Sequence, residues 1–215
     1  MMLDLLWMML LGYLLGSISG SLVLGRLRGL DIRAMGSGNA GGTNAFRTVG
    51  WLFALMVVLI DIGKGVLAAL AVPILPTVFG ESLPLSTTSV GALCGLAAVI
   101  GHVWPVYFGF RGGKGAGTAV GVVAAVAPWC ILPLVVVWLV ALLGTGYVGL
   151  ATVLAGLSLV PSMWLLGPDQ VGPSLGGLAI GLAGLLLFTH RSNLARLKSG
   201  TENRFEKARV LKRKR

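Results

Sequence analysis

The chain has 215 residues, of which 56% are hydrophobic, 33 are glycine and only 11% are charged. A typical soluble domain carries roughly 25% charged residues, and a domain of this size has too little interior to hide so much apolar side chain. Soluble, disordered and disulfide-scaffold classes are excluded and a polytopic membrane protein is implied, so the formal charge of +10 points to membrane sidedness, with no nucleic acid as partner.

A hydrocarbon core of about 30 Å takes roughly 20 residues of apolar helix. The N-terminus runs Met1-Met2-Leu3-Asp4-Leu5-Leu6-Trp7, with an acid where a signal peptide carries basic residues, which predicts a retained segment. Residues 3–25 read as the first span and 51–74 as the second. Inside the second, Asp61 and Lys64 stand at i, i+3, where an intramembrane ion pair is tolerable. Residues 87–107 form the third. Residues 116–144 are too long for one comfortable span and short for two, with Pro128 near the middle and Pro133 after it. Proline removes a helix hydrogen bond and clashes with the preceding turn, so a break is expected near Pro128-Trp129. Residues 147–166 and 174–188 complete the apolar stretches. Cys94 and Cys130 fall inside them and read as free thiols.

Charge decides the count. Every Lys and Arg lies within 26–47, at 64, within 111–114 or within 191–215, whereas connections 75–86 and 167–173 carry Glu81 and Asp169 instead. The positive-inside rule puts the basic segments in the cytoplasm, and an even number of crossings must separate 111–114 from the tail. Residues 116–144 therefore read as a two-helix hairpin. The expected fold is all-α integral membrane, with seven transmembrane helices, the N-terminus outside and the C-terminus cytoplasmic. Residues 1–190 form the membrane domain and 191–215 a basic cytoplasmic tail, of which 191–202 contributes to the site. The tail ends Lys212-Arg213-Lys214-Arg215, and each cation near an anionic headgroup surface contributes about 1 kcal/mol of attraction. Pairs of small residues at Gly12/Gly16, Gly91/Gly95, Gly117/Gly121 and Gly177/Gly181 predict close helix packing.

Three segments on the cytoplasmic side break the apolar pattern. The first is Gly36-Ser37-Gly38-Asn39-Ala40-Gly41-Gly42-Thr43-Asn44, followed by Arg47. It contains G-x-G-x-x-G, but no strand precedes it, which rules against a dinucleotide fold. Its backbone N–H groups can turn toward an anion, and Ser37, Asn39, Thr43 and Asn44 add neutral donors. The second is Gly101-His102-Val103-Trp104-Pro105 with Phe110-Arg111-Gly112-Gly113-Lys114-Gly115. It is not a Walker A loop, since Lys114 is followed by glycine, yet glycines, a helix start and a cation there favour an anionic ligand. The third is His190-Arg191-Ser192-Asn193 with Arg196 and Gly200-Thr201-Glu202; on a helix, His190, Asn193, Arg196 and Leu197 share a face. No H-x4-D pair, Ser/His/Asp set, paired carboxylates or metal cluster stands out. Such residues suit phosphate groups and a substrate that arrives already activated.

In order, Gly16-Ser17, Asp31-Ile32-Arg33, Gly36-Ser37-Gly38-Asn39, Thr43-Asn44, Arg47, Asp61 with Lys64-Gly65, Gly101-His102, Phe110 with Gly112-Gly113-Lys114-Gly115, and His190-Arg191-Ser192-Asn193 through Arg196-Leu197 to Gly200-Thr201-Glu202 resemble the blocks of the bacterial acyl-phosphate:glycerol-3-phosphate acyltransferases, the PlsY family. The resemblance covers nearly the whole chain. It implies a seven-helix enzyme of the bacterial cytoplasmic (inner) membrane, its active site facing the cytoplasm. The implied reaction makes 1-acyl-glycerol-3-phosphate (lysophosphatidate) and phosphate from acyl phosphate and glycerol 3-phosphate, the first acylation of phospholipid synthesis. Ser19 stands where the family usually has proline, Gly149 and Thr152 where it tends to carry serines, and Arg111 where lysine is commoner.

Residues and resemblance together give one expected mechanism. Arg47, Ser37, Asn39 and Thr43 hold one phosphate; Lys114 and the backbone of Gly112, Gly113 and Gly115 hold the other, the assignment of loop to substrate staying open. Gly38, Asn44, His102, Arg111, Thr152 and Glu202 complete the binding set. His190 and Asn193 orient the reacting groups, and His190 or a substrate phosphate oxygen takes the proton. The acyl chain enters sideways from membrane lipid. No cofactor or metal is expected, and the chain is expected to act as a monomer. The alternatives are a transporter for a small phosphorylated metabolite, which would want its site near the midplane, and a non-catalytic lipid-binding scaffold.

Overall fold

In lipid every backbone N–H and C=O must find its partner within the chain, so each apolar run closes its own hydrogen bonds as a helix. The computed structural model describes residues 2–80, 84–167 and 172–205, and among these it is helical, with no strand. Glu81, Asp169 and the Lys212–Arg215 end of the tail lie outside the described residues. The helices are α1 (Met2–Gly16), α2 (Gly20–Leu27), α3 (Gly42–Thr48), α4 (Trp51–Leu70), α5 (Thr87–Val103), α6 (Ala116–Val126), α7 (Ile131–Thr145), α8 (Val148–Leu166), α9 (Pro173–Thr189) and α10 (Arg191–Lys198). Short 3₁₀ turns lie at Ile32–Ala34, Val72–Ile74, Val106–Phe108 and Pro128–Cys130. Two compact units result, Met1–Pro128 and Trp129–Arg215.

Among the described residues, four helical stretches are long and apolar enough to cross a membrane, and up to six if each bent pair, α1 with α2 and α9 with α10, forms one span. The chain is thus a multi-pass membrane protein by its helices. The stretch 116–144 breaks where proline predicts, at Pro128–Cys130. Its first half, α6, has 11 residues, about 16 Å at 1.5 Å per residue, short of the core thickness. The stretch 3–25 is not one helix: it bends by 46° between α1 and α2. The cause lies in another helix. Lys64 of α4 donates to the Gly16 and Ile18 carbonyls at 2.7 and 2.9 Å, and the Gly20 N–H donates to Asp61 at 3.1 Å. Ions of α4 thus take over the backbone groups that the break releases, which is what allows irregular backbone inside a membrane protein. Ser19, at the break, sits at φ −76°, close to the value that proline would impose.

Small residues set the packing of the first unit. Gly12 and Gly16 of α1 lie against the backbone of α5 at Cys94 and Ala98, Gly91 and Gly95 of α5 against Ala69 and Val122, and Gly121 of α6 against Ile62 of α4. Any Cβ there meets backbone or a branched side chain, so the helices approach as small-residue pairs allow. Gly177 differs from its expected role: it faces open space. Both cysteines are free and buried.

Candidate active site

The first loop is built around one buried side chain. Asn44, 2% exposed, accepts from the Ser37 N–H at 2.9 Å and donates to the Ile32 and Met35 carbonyls at 3.1 and 2.9 Å. Gly36 and Gly38 turn at φ +56° and +74°, conformations that side chains disfavour, and Gly36 packs against the Asn44 amide. The amide of Asn44 is therefore committed to shaping the loop. By contrast, the side chains of Ser37, Asn39, Thr43 and Arg47 have no hydrogen-bond partner among the described residues, and Ser37, Thr43 and Arg47 are exposed. Thr43 and Arg47 are one turn apart on α3 and share a face.

The second loop doubles back on the end of α5. Gly112 and Gly113 donate to the Val103 and His102 carbonyls, both at 3.1 Å. A Cβ on Gly113 would lie 2.6 Å from the Ala40 carbonyl oxygen and would also meet His102 Nε2. This glycine is where the two loops touch. Gly115, at φ +86°, opens α6 directly after the half-buried Lys114. A cleft of about 630 Å³ separates Arg33, Ala34 and Gly38 on one wall from Phe108, Arg111 and Gly112 on the other, within the size range of small-molecule sites.

His102 lies beneath this loop, 2% exposed. Its Nδ1 stands 2.8 Å from Lys64 Nζ and 3.4 Å from Asp61 Oδ1, and Lys64 pairs with Asp61 at 3.3 Å. Nδ1 thus faces both the Lys64 ammonium and the Asp61 carboxylate, while Nε2 is the ring atom next to Gly113. The Asp61–Lys64 pair thus serves both the α1–α2 break and the floor of the second loop. Outside the membrane helices, the Asp31 carboxyl is held below its ordinary value, chiefly by the Arg33 side chain that donates to it.

The second unit carries the third segment. His190 caps both α9 and α10, at their 51° bend, and is 5% exposed. Its expected face-mates Asn193, Arg196 and Leu197 lie on α10, while the imidazole itself stands at the joint. Nδ1 is 2.8 Å from the Leu186 carbonyl, which only accepts; in the neutral ring Nδ1 carries the proton and Nε2 is the basic nitrogen. Glu202 accepts from Asn193 Nδ2 at 2.6 Å and from Arg196 Nε at 2.7 Å. Gly200, at φ +74°, ends α10 with the Gly200 N–H on Leu197 and the Thr201 N–H on Arg196, a helix-stop geometry that turns Glu202 back toward α10. Further on, Arg204 donates to the Thr145 carbonyl at 2.9 Å and covers the Tyr147 ring. Gly149 leaves room that the Asn193 side chain fills, its atoms 2.8 Å from where a Cβ would be. The Thr152 hydroxyl is engaged within the unit, donating to Val148 and accepting from Trp138 Nε1. Among the described residues, no group of three or more His, Cys, Asp or Glu side chains is placed to hold a metal ion.

Comparison with known proteins decides the family. The family model described as glycerol-3-phosphate acyltransferase matches residues 6–200. The chain belongs to the glycerol-3-phosphate acyltransferase family. It is an acyltransferase. The glycerol-3-phosphate acyltransferases of Chlorobaculum parvum and Pelodictyon phaeoclathratiforme are 39% and 40% identical, each match covering 94% of this chain and 97% of the relative. Among solved structures, PlsY (YgiH), an integral membrane glycerol 3-phosphate acyltransferase, is similar in its glycerol 3-phosphate form, with a TM-score of 0.81 and 39% identity over 94% of this chain and 95% of that one. Its lysophosphatidic acid form gives 0.78 and 38% over 93% and 94%.

Arg33, whose guanidinium reaches the second loop, has no role legible in the sequence beyond its place in the Asp31-Ile32-Arg33 block. Asn44, expected as a donor to substrate, instead spends its donors on Ile32 and Met35.

Proposed function

We propose that this acyltransferase takes its acyl group from acyl phosphate and works at the cytoplasmic face of a bacterial inner membrane. The acceptor is glycerol 3-phosphate and the product 1-acyl-glycerol-3-phosphate. The glycerol hydroxyl attacks the carbonyl carbon of the mixed anhydride, the carbon–oxygen bond to phosphate breaks, and inorganic phosphate leaves with the electron pair. The hydroxyl proton passes to His190 Nε2 or to a phosphate oxygen. The donor's leaving group is already good, so the protein needs to hold two anions together and to stabilise charge on the departing phosphate.

The observation that carries this reading is the contrast inside the first loop. Asn44 is spent on architecture, while Ser37, Asn39, Thr43 and Arg47 are left with uncommitted polar groups. We assign these four to one phosphate, and Lys114 with the backbone of Gly112, Gly113 and Gly115 to the other. Arg111 adds charge at the cleft. Asn44, Gly38 and His102 shape the two loops, and Glu202 aims Asn193, which with His190 orients the reactants; Thr152 supports α8. The chain works as a monomer, with its acyl chain in lipid. The seven-span topology is retained in this reading, with α1 and α2 as one bent span, α6 as a short one, and α9 as the last, ending where the basic cytoplasmic α10 begins. Its support is the charge distribution, because basic residues avoid the connections assigned to the outside.

Arg47→Ala and Lys114→Ala test the clamp. Each should lower kcat/KM by about 10²-fold or more, with the purified variant still folded. Wild-type kinetics in both variants would remove the two-loop clamp.

A further inference from the structure

Arg33 differs from the open donors of the first loop in that all three nitrogens of its guanidinium are engaged. Nε and Nη2 grip the Asp31 carboxylate at 3.0 and 2.9 Å, a two-point fork. Nη1 reaches across the cleft and donates to the Phe108 and Arg111 carbonyls at 3.1 and 3.2 Å. The Asp31 carboxylate also accepts the Arg33 backbone N–H at 3.0 Å, fixing the pair at its base. The carbonyls at the far end bracket Gly109 and Phe110, at φ +65° and +59°, and among the described residues Phe110 is the non-glycine residue in left-handed conformation. A side-chain-bearing residue keeps that conformation where its surroundings fix it. Here the Phe110 N–H is tied to the Pro105 carbonyl at 2.9 Å, and Arg33 holds both flanks of the turn. The same turn leads into Gly112, Gly113 and Lys114. As a salt bridge the pair is 31% and 49% exposed, and bridges of that kind add little to global stability. Its placement across the cleft is better explained by geometry.

We propose that Arg33 is a positioning residue that fixes the spacing between the two phosphate-gripping loops. The inference rests on the reading that each loop holds one reactant's phosphate. Loss of the strut leaves each loop able to bind its own anion but misplaces the two anions relative to each other. The damage then falls on turnover more than on binding. Lysine is no substitute, because an ammonium on a flexible stem cannot grip the carboxylate and both carbonyls in one plane.

The experiment uses the full-length protein in lipid–detergent micelles, assayed with palmitoyl phosphate and glycerol 3-phosphate, beside calorimetric titration with glycerol 3-phosphate. R33K should lose about 10- to 100-fold in kcat, as small misplacements do. Its KM values should change little, and its binding stoichiometry should match the wild type's, so that the loss does not come from fewer folded molecules. R33A should recover part of its turnover when methylguanidinium is added. An R33K enzyme with wild-type kcat, a kcat loss matched by lost binding stoichiometry, or an R33A enzyme indifferent to methylguanidinium would overturn the inference alone. A wild type that makes no lysophosphatidate overturns the reaction, and the inference with it.

Discussion

Replacing Asn44 by alanine deletes three hydrogen bonds at once, those to the Ser37 N–H and to the Ile32 and Met35 carbonyls. Each is worth about 0.5–1.5 kcal/mol net, and water reaching the exposed Ser37 offsets part of the loss, which leaves about 2–3 kcal/mol. This is a local quantity, because α3 and α4 still pack through Ala45, Phe53 and Val57. The energy is that of ordering residues 35–39, which the variant must supply each time a phosphate binds. At about 1.4 kcal/mol per tenfold, kcat/KM should fall roughly 30- to 150-fold. Asn44→Asp is a sharper variant: it keeps the acceptor for Ser37 but turns an oxygen toward two carbonyls, and it should be at least as damaging. Steady-state kinetics give the loss, and hydrogen exchange of the 36–38 amides reports the loop. An N44A enzyme with wild-type kcat/KM and unchanged amide protection would refute the assignment of Asn44 as the loop's anchor.

Lys64→Met strands Asp61 in the interior and releases the Gly16 and Ile18 carbonyls; breaking a buried pair costs about 3–5 kcal/mol, and wild-type thermal stability in micelles would contradict the bend mechanism. Ser19→Pro keeps φ near proline's value but removes the Ser19 N–H bond to the Ser17 carbonyl at 3.0 Å, so it should cost about 0.5–1.5 kcal/mol, whereas a much larger drop in melting temperature would show that the break depends on more than that bond. His190→Gln should lower kcat by about 10²- to 10⁴-fold if the imidazole takes the proton, and an unchanged kcat would move that role to a substrate phosphate. Asp31 has a lowered folded-state pKa, so its contribution is present above the unfolded value of about 3.9 and is lost as pH falls through the folded value. The protection factors of the 31–34 amides, corrected for intrinsic exchange, should fall only in that acid range, and a fall already near neutral pH would contradict the Arg33–Asp31 anchor.

Much of the architecture is local enough to be legible in the chain. Pro128 breaks its stretch because the cause, a missing N–H, sits in the residue itself. The α1–α2 bend is not legible in the same way. Ser17, Ile18 and Ser19 read as tolerable helix, and the groups that satisfy the break come from Asp61 and Lys64 on another helix. The candidate site divides along the same line. Glycine, hydroxyl and cation content marked the two loops as anion sites, since composition alone supplies the donors. Composition does not show which donors are already engaged. Asn44 and Ser37 look equivalent in sequence, and only long-range partners at Ile32 and Met35 separate the anchor from the open group. Arg33 was hidden for a related reason: the carbonyls it holds are 75 and 78 residues away. Gly149 shows the converse, a position without a side chain whose space is taken by Asn193.

The most direct measurement offers the purified protein palmitoyl phosphate and labelled glycerol 3-phosphate in a lipid–detergent mixture, with palmitoyl-CoA as the parallel donor. Labelled lysophosphatidate should form from the acyl phosphate, with one inorganic phosphate released for each, and no product should form from the thioester alone. Product from palmitoyl-CoA with none from palmitoyl phosphate would contradict the donor, and no product from either would contradict the reaction.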